Sequence, residues 1–358
     1  MEFIIQDALK SAENSDDNNF EVGQANIKVI GAGGAGNNIV SWLYKKGISG
    51  AEVIAVNTDK QHLDISSADR KMLIGRDLTR GLGCGGFIER GRESAKESMT
   101  ELKEALKGSD MVFVCSGLGG GTGTGSAPVV AQIAKEMGAI VIGTVTMPFE
   151  IEKARVDKAE FGLQQLRQVS DTVIVIDNNR LVQIAGNLPL KQAFAVANEL
   201  LSTMIKGIVE TIAIPSLVNL DYADVKAIMT AGGVSAMGIG ESTSERRVEE
   251  SVQRALTNPL LDVKYDGATG ALIHITGGND LLLEEIDQIG QTITKQLDPD
   301  ANVIWGARIE EGMEGKLRVM TIVTGVKSPY ILGKVDRAQE QAERAEVMSS
   351  EFGIDIVK

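Results

Sequence analysis

From Asn26 onward, short apolar runs alternate with helix-length segments. The runs are Asn26–Ile30, Val53–Val56, Lys71–Ile74, Asp110–Cys115, Ala139–Val145 and Thr172–Ile176. Strands that are apolar at successive positions are covered on both faces. Their alternation with helices predicts a parallel sheet with helices on both faces, an α/β fold that binds ligands at the loops past its strand carboxyl ends. The rhythm then stops. Between Pro189 and Pro215 lies one long predicted helix, Leu190–Ile214, apolar almost all round (Phe194, Val196, Leu200, Leu201, Met204, Ile205, Ile208, Val209, Ile212). Such a helix is buried, and at 1.5 Å per residue it spans roughly 37 Å. Beyond it, Val225–Met229, Ala236–Gly240, Ala271–Thr276, Asn302–Ile309 and Leu317–Thr324 read as strands, with helices at Ser244–Leu256 and Asp280–Leu297. The predicted organisation is a mobile arm (1–25), a first α/β domain (26–188), a central connecting helix (189–215), a smaller α/β domain (216–330) and a tail (331–358). No internal repeat is present.

Composition narrows the function classes. A net charge of −13 repels a polyphosphate backbone, which argues against a nucleic-acid partner. Cys84 and Cys115 have no metal-ligand spacing, and two thiols in 358 residues suit a reducing compartment. No apolar run approaches the roughly 20 residues of a membrane span, and the acidic start carries no signal-peptide pattern. A cytosolic protein without direct membrane insertion is expected. Aromatics are few (4%) and glycines many (40), so glycine must serve special loops.

Those loops carry the candidate chemistry. Gly31-Ala32-Gly33-Gly34-Ala35-Gly36-Asn37-Asn38 follows the first strand and contains a GxGxxG match. Glycines let a phosphate approach the backbone, and the next helix offers free N–H groups and a positive dipole end. Alone, this fits a dinucleotide as well as a nucleoside triphosphate. More specific is Gly119-Gly120-Gly121-Thr122-Gly123-Thr124-Gly125, between the strand Asp110–Cys115 and a helix predicted from Pro128 to Met137. It is nearly free of side chains and builds a nest of N–H donors for a di- or triphosphate. No lysine follows, so it is not a Walker A loop. The segment Gly81-Leu82-Gly83-Cys84-Gly85-Gly86 can close over a terminal phosphate. Asn57-Thr58-Asp59 can meet phosphate-bound Mg²⁺ or water, or Asp59 can cap the next helix.

The segments Gly119–Gly125, Asn57–Asp59 and Gly81–Gly86 resemble the motifs of FtsZ, the prokaryotic tubulin relative, as does Asn219-Leu220-Asp221-Tyr222-Ala223-Asp224-Val225 after the long helix. The resemblance covers about residues 26 to 327. Asp177-Asn178-Asn179-Arg180-Leu181, Pro215-Ser216-Leu217 and the terminal Gly-Ile-Asp-Ile are similar to a second archaeal FtsZ paralogue group. The resemblance implies a GTPase forming head-to-tail filaments at the division site, with GTP/GDP and phosphate-bound Mg²⁺ as cofactors. By position, Gly33 to Asn38 and Gly119 to Gly125 hold phosphates, with Asn57, Asp59, Gly83, Gly85 and Gly86 beside them. Glu152 and Arg155 reach the ribose, and Asn178 lies over ribose and base. Phe194 and Asn198, four apart on one helix face, stack on guanine and read its edge. Asp221 and Asp224, with Asn219 nearby, lie a helix length from their own phosphates and serve the next subunit's nucleotide. There they orient the attacking water, since an ordinary carboxylate is a poor base at neutral pH. Partners implied are further copies of the chain and a membrane-adaptor protein docking on the C-terminal tail. There are departures. Cys84 stands where alanine is usual, Phe87-Ile88 replaces Asn-Pro, and the Glu152–Arg155 spacing is one residue short. The alternatives are a related filament GTPase with no division role and an NAD-dependent oxidoreductase.

Overall fold

The structure, a computed structural model, describes residues 25–214, 217–218, 220, 222–231, 235–257, 265, 268–326 and 332–333. In chain order β1 (Ile27–Ala32) leads into α1 (Gly33–Lys46), β2 (Ala51–Asn57) into α2 (Lys60–Ile65), and β3 (Arg70–Leu73) into α3 (Arg76–Thr79), α4 (Ile88–Glu97) and α5 (Met99–Leu106). Next come β4 (Met111–Gly117), α6 (Thr122–Glu136), β5 (Ile140–Met147), α7 (Ala154–Val169), β6 (Thr172–Asp177), α8 (Asn178–Ala185) and the long α9 (Leu190–Ala213). The remainder is α10 (Tyr222–Ala231), β7 (Ser235–Ser242), α11 (Arg247–Leu256), β8 (Gly270–Gly277), α12 (Leu283–Thr294), β9 (Asn302–Ile309), β10 (Leu317–Thr324) and β11 (Leu332–Gly333).

Strands β6–β5–β4–β1–β2–β3 form a parallel sheet in that order, and β11 adds an antiparallel edge to β6. That edge uses Leu332 and Gly333, which lie within the predicted tail (331–358). The alternation of side chains along each strand explains the unbroken apolar runs. Ile27 and Val29 of β1, with Met111, Phe113 and Cys115 of β4, face α1 and α9. Ile30 and Ala32, with Val112 and Val114, face α5, α6 and α7. The smaller sheet has the order β7–β10–β8–β9, antiparallel except for β8–β9. Helix α9 is buried mainly in its second half, where Leu201, Met204, Ile205, Ile208 and Val209 join one hydrophobic core with Ile27 of the first sheet and Met237 and Met320 of the second.

One predicted strand is overturned. Val225–Met229 lies within helix α10. Val225, Ile228 and Met229 are buried while Ala223, Lys226 and Ala227 are not, which is the i, i+3, i+4 spacing of a helix face. Two predicted loops are also partly helix. Helix α1 starts at Gly33 and α6 at Thr122, six residues before the predicted Pro128. Glycine's low helix propensity hid both starts.

Candidate functional site

The neighbouring strands β1 and β4 point the same way, so α1 and α6 both begin at the same end of the sheet. Their N-termini touch: a Cβ on Gly33 would stand 2.7 Å from the Gly123 nitrogen. Close packing also explains Gly36, whose Cβ would be 2.3 Å from the Cys115 carbonyl oxygen, and Gly125, 2.2 Å from that of Ile88. Burial pushes the Cys115 thiol up to about 12, so it stays protonated beneath this junction. Neither helix has a side-chain cap, as Ala32 and Gly121 occupy the capping positions. Uncapped first-turn N–H groups and two positive dipole ends therefore converge.

Above them lies a cleft of about 350 Å³, lined by Gly34, Ala35, Gly120, Gly121, Thr122, Gly123, Glu152, Arg155 and Asn178, among others. A second cavity of about 270 Å³ shares Gly34, Gly121 and Thr122, and adds Asn57, Asp59, His62, Gly83, Cys84, Gly85 and Gly86. Two lining glycines are not required by the fold. Gly120 would meet nothing within 4 Å if it carried a Cβ, and Gly34 only the His62 ring at 3.7 Å. Neither has a positive φ. Bare backbone at these two points leaves room for something that is not protein.

The side chains around the cleft are tied down. Thr58 and Thr122 share a hydroxyl hydrogen bond of 2.7 Å, and the Cys84 sulfur lies 3.4 Å from the Thr58 hydroxyl. Asn57 Oδ1 accepts from the backbone of Thr58 at 2.9 Å and of Asp59 at 3.2 Å. Asp59 accepts from the His62 backbone at 3.1 Å, so here it caps α2. Thr124 is buried and accepts from the Gly119 nitrogen at 2.9 Å, which shapes the loop from beneath. Asn37 is also buried. Its amide donates to the Gly31 carbonyl at 2.7 Å and accepts from Asn57 at 3.1 Å, so it fastens β1 to β2 and its side chain does not face the cleft. Glu152 and Arg155 pair with each other at 2.7 Å. Lys158, absent from the expected set, donates to the Gly86 carbonyl at 2.9 Å and holds the third glycine segment.

Asn38 and Asn198 come together in a third cavity of about 200 Å³, with Trp42 and His62. Phe194 is 40% exposed, one turn before Asn198, with its ring edge-on to Phe149 at 6.0 Å. His62, which lines both the second and third cavities, was missed from sequence because a lone histidine carries no motif.

The acidic segment lies elsewhere. Asn219 and Asp221 fall outside the described residues, and Asp224 sits in the first turn of α10. Tyr222 in the same turn donates to the Asp110 carbonyl at 2.7 Å, just before β4 begins. The end of α9 meets Gly50, just before β2. The cleft is at the far end of β4, so the seven-residue strand separates the two by roughly 20 Å.

Residues 26–186 match the Tubulin/FtsZ family, GTPase domain, and residues 233–327 the FtsZ family, C-terminal domain. Cell division protein FtsZ 2 of Methanocaldococcus jannaschii is 55% identical over 354 residues, covering 96% of this chain and 93% of that protein. The chain belongs to the FtsZ family. Cell division protein FtsZ 2 of Halobacterium salinarum is 50% identical over 353 residues, covering 97% and 90% respectively. A solved FtsZ dimer of M. jannaschii superposes with a TM-score of 0.78 at 50% identity, covering 89% of this chain and 91% of that one. As an FtsZ-family member the protein is a tubulin-like GTPase of cell division, binding guanine nucleotide, and the oxidoreductase alternative falls.

Proposed function

We propose that the chain binds GTP with its phosphates against the two helix N-termini, stacks head to tail on further copies, and hydrolyses the nucleotide only at the junction. The single observation that carries this is the strand length between the cleft and Asp224. No rotation of one side chain spans it. Both ends also expose apolar surface suited to burial against another copy, namely Leu82 (83%) and Phe87 (63%) beside the cleft and Leu217 (76%) near the acidic segment. In the junction Asp224 and Asp221 orient a water for in-line attack on the γ-phosphorus. The bond to the bridging oxygen breaks, GDP leaves, and the water's proton ends on phosphate. Asp59, with one carboxylate oxygen capping α2, suits through the other the water shell of a Mg²⁺ ion held mainly by the phosphates. Asn198 reads the base with Phe194 stacking, and Asn38, expected at the phosphates, joins Asn198 there because the two line one cavity.

The site of action is the cytoplasmic face of the division site. The final Gly353 to Lys358 dock on a membrane adaptor, so their deletion leaves turnover and polymer intact and abolishes adaptor binding. The decisive experiment is phosphate release measured across protein concentration, with light scattering in parallel. Turnover per molecule is near zero below a threshold and rises with assembly. Constant turnover per molecule down to nanomolar protein would refute hydrolysis across a junction.

A further inference from the structure

Histidine occurs twice in the chain, at His62 and His274. His62 lies in α2, and its ring stands between the second and third cavities. The two ring nitrogens have unlike surroundings. Nδ1 is buried and has no hydrogen-bond partner among the described residues. Nε2 is the atom nearest to where a Cβ on Gly34 would stand, at 3.7 Å, with Cδ2 and Cε1 each at 4.0 Å. The tip of the ring therefore faces the first turn of α1.

This arrangement decides the tautomer. A buried N–H without an acceptor costs more than a buried lone pair without a donor. The proton of the neutral ring belongs on Nε2, and His62 presents an N–H to the open space over Gly34. The same geometry accounts for Gly34, whose φ is ordinary and which no other neighbour crowds. Any side chain there would screen the imidazole from the cleft.

We infer that His62 Nε2–H donates a hydrogen bond to an α- or β-phosphate oxygen of the bound nucleotide, and that Gly34 is bare so that this oxygen is shared between the imidazole and the first backbone N–H groups of α1. This rests on the guanine-nucleotide reading of the cleft. The role is binding and positioning. No proton is transferred and no covalent bond changes.

The test uses the full chain, with GDP and guanosine as probes so that hydrolysis and assembly do not intervene. His62→Leu is expected to weaken GDP about 10- to 150-fold, the usual worth of a hydrogen bond to a charged group, and to weaken guanosine, whose base lies in the third cavity that His62 also lines, by much less. His62→Gln, whose amide can donate from a similar place, recovers most of the GDP affinity. In wild type, long-range ¹H–¹⁵N spectra should show His62 as the Nε2–H tautomer, with Nε2 shifting when GDP is added and His274 serving as an internal control. GDP affinity unchanged in His62→Leu, equal loss of GDP and guanosine, or a proton on Nδ1 would each overturn the inference. If His62→Leu does not fold, the glutamine variant and the wild-type spectra decide it. Failure of the wild-type chain to bind either probe would instead remove the nucleotide reading, and this inference with it.

Discussion

Substituting alanine at two glycines of one motif should separate folding from binding. Gly125→Ala puts a methyl 2.2 Å from the Ile88 carbonyl oxygen and 2.6 Å from the Arg92 nitrogen, both backbone atoms of α4. A helix backbone yields less readily than a side chain tip. The cost belongs at the upper end of the overpacking range, about 3 kcal/mol, which lowers Tm by roughly 4 °C in a protein of this size. Gly120→Ala meets nothing within 4 Å, and its φ suits any residue. By restricting the unfolded chain it should stabilise by about 0.4–1 kcal/mol. Yet its methyl projects into the cleft and holds the phosphate away from the nearest N–H groups. Losing one such charge-assisted bond costs about 1.5–3 kcal/mol, or roughly 10- to 150-fold in affinity. Thermal melts without nucleotide, paired with GDP titrations, read both quantities. A Gly120→Ala protein that binds GDP as wild type does would refute the argument that this glycine is bare for the ligand.

Three further outcomes are expected. Asp224→Ala keeps GTP binding and assembly and loses about 10²–10³-fold in turnover. Mixing it with a Gly121–Thr124 variant unable to bind GTP restores some phosphate release, and no recovery despite co-assembly counts against catalysis across the junction. Asn198→Asp keeps guanine binding because a carboxylate still accepts from N1–H and N2–H, whereas Asn198→Leu loses it; wild-type affinity in the leucine protein would put the base elsewhere. Burial, then Arg308 and Arg318, push His274 down to about 4 from the ordinary 6.5. Between these values the unfolded chain binds the extra proton, so stability is unaffected above pH 6.5 and falls as pH drops toward 4, by about 3 kcal/mol in full. Urea melts at pH 7.5 and 4.5 should show His274→Leu losing less stability than wild type over that interval, and equal losses would refute the burial argument.

The alternation of apolar runs and helices was legible because parallel strands covered on both faces leave an unbroken signature. Helix α10 was not, since in so short a stretch Val225, Ala227 and Met229 alternate as in a strand while Val225, Ile228 and Met229 form a helix face. Glycine was the harder problem. Gly36 and Gly125 are glycine for packing, Gly34 and Gly120 for openness, yet the letters are identical and only neighbours distant in sequence tell them apart. Asn37 shows the same limit: it sits in the motif, but its amide is spent fastening two strands together. His62 had no repeat or partner spacing to announce it.

The cleft opens where β1 and β4 end, and Asp224 lies where β4 begins, so each molecule carries direction within itself. A proposed stack of n molecules has n − 1 junctions. One end molecule then keeps a nucleotide that no neighbour's carboxylate reaches, and the molecule at the opposite end offers carboxylates with nothing to act upon. The two ends therefore age differently, one remaining fresh however long the row becomes while the interior is spent in order of arrival. Cutting a row frees one more nucleotide from any neighbour's carboxylate: one still unspent at the cut stays so, and the share out of reach, one in n, rises as n falls. Fragment length thus becomes a clock setting that no additional regulator has to supply.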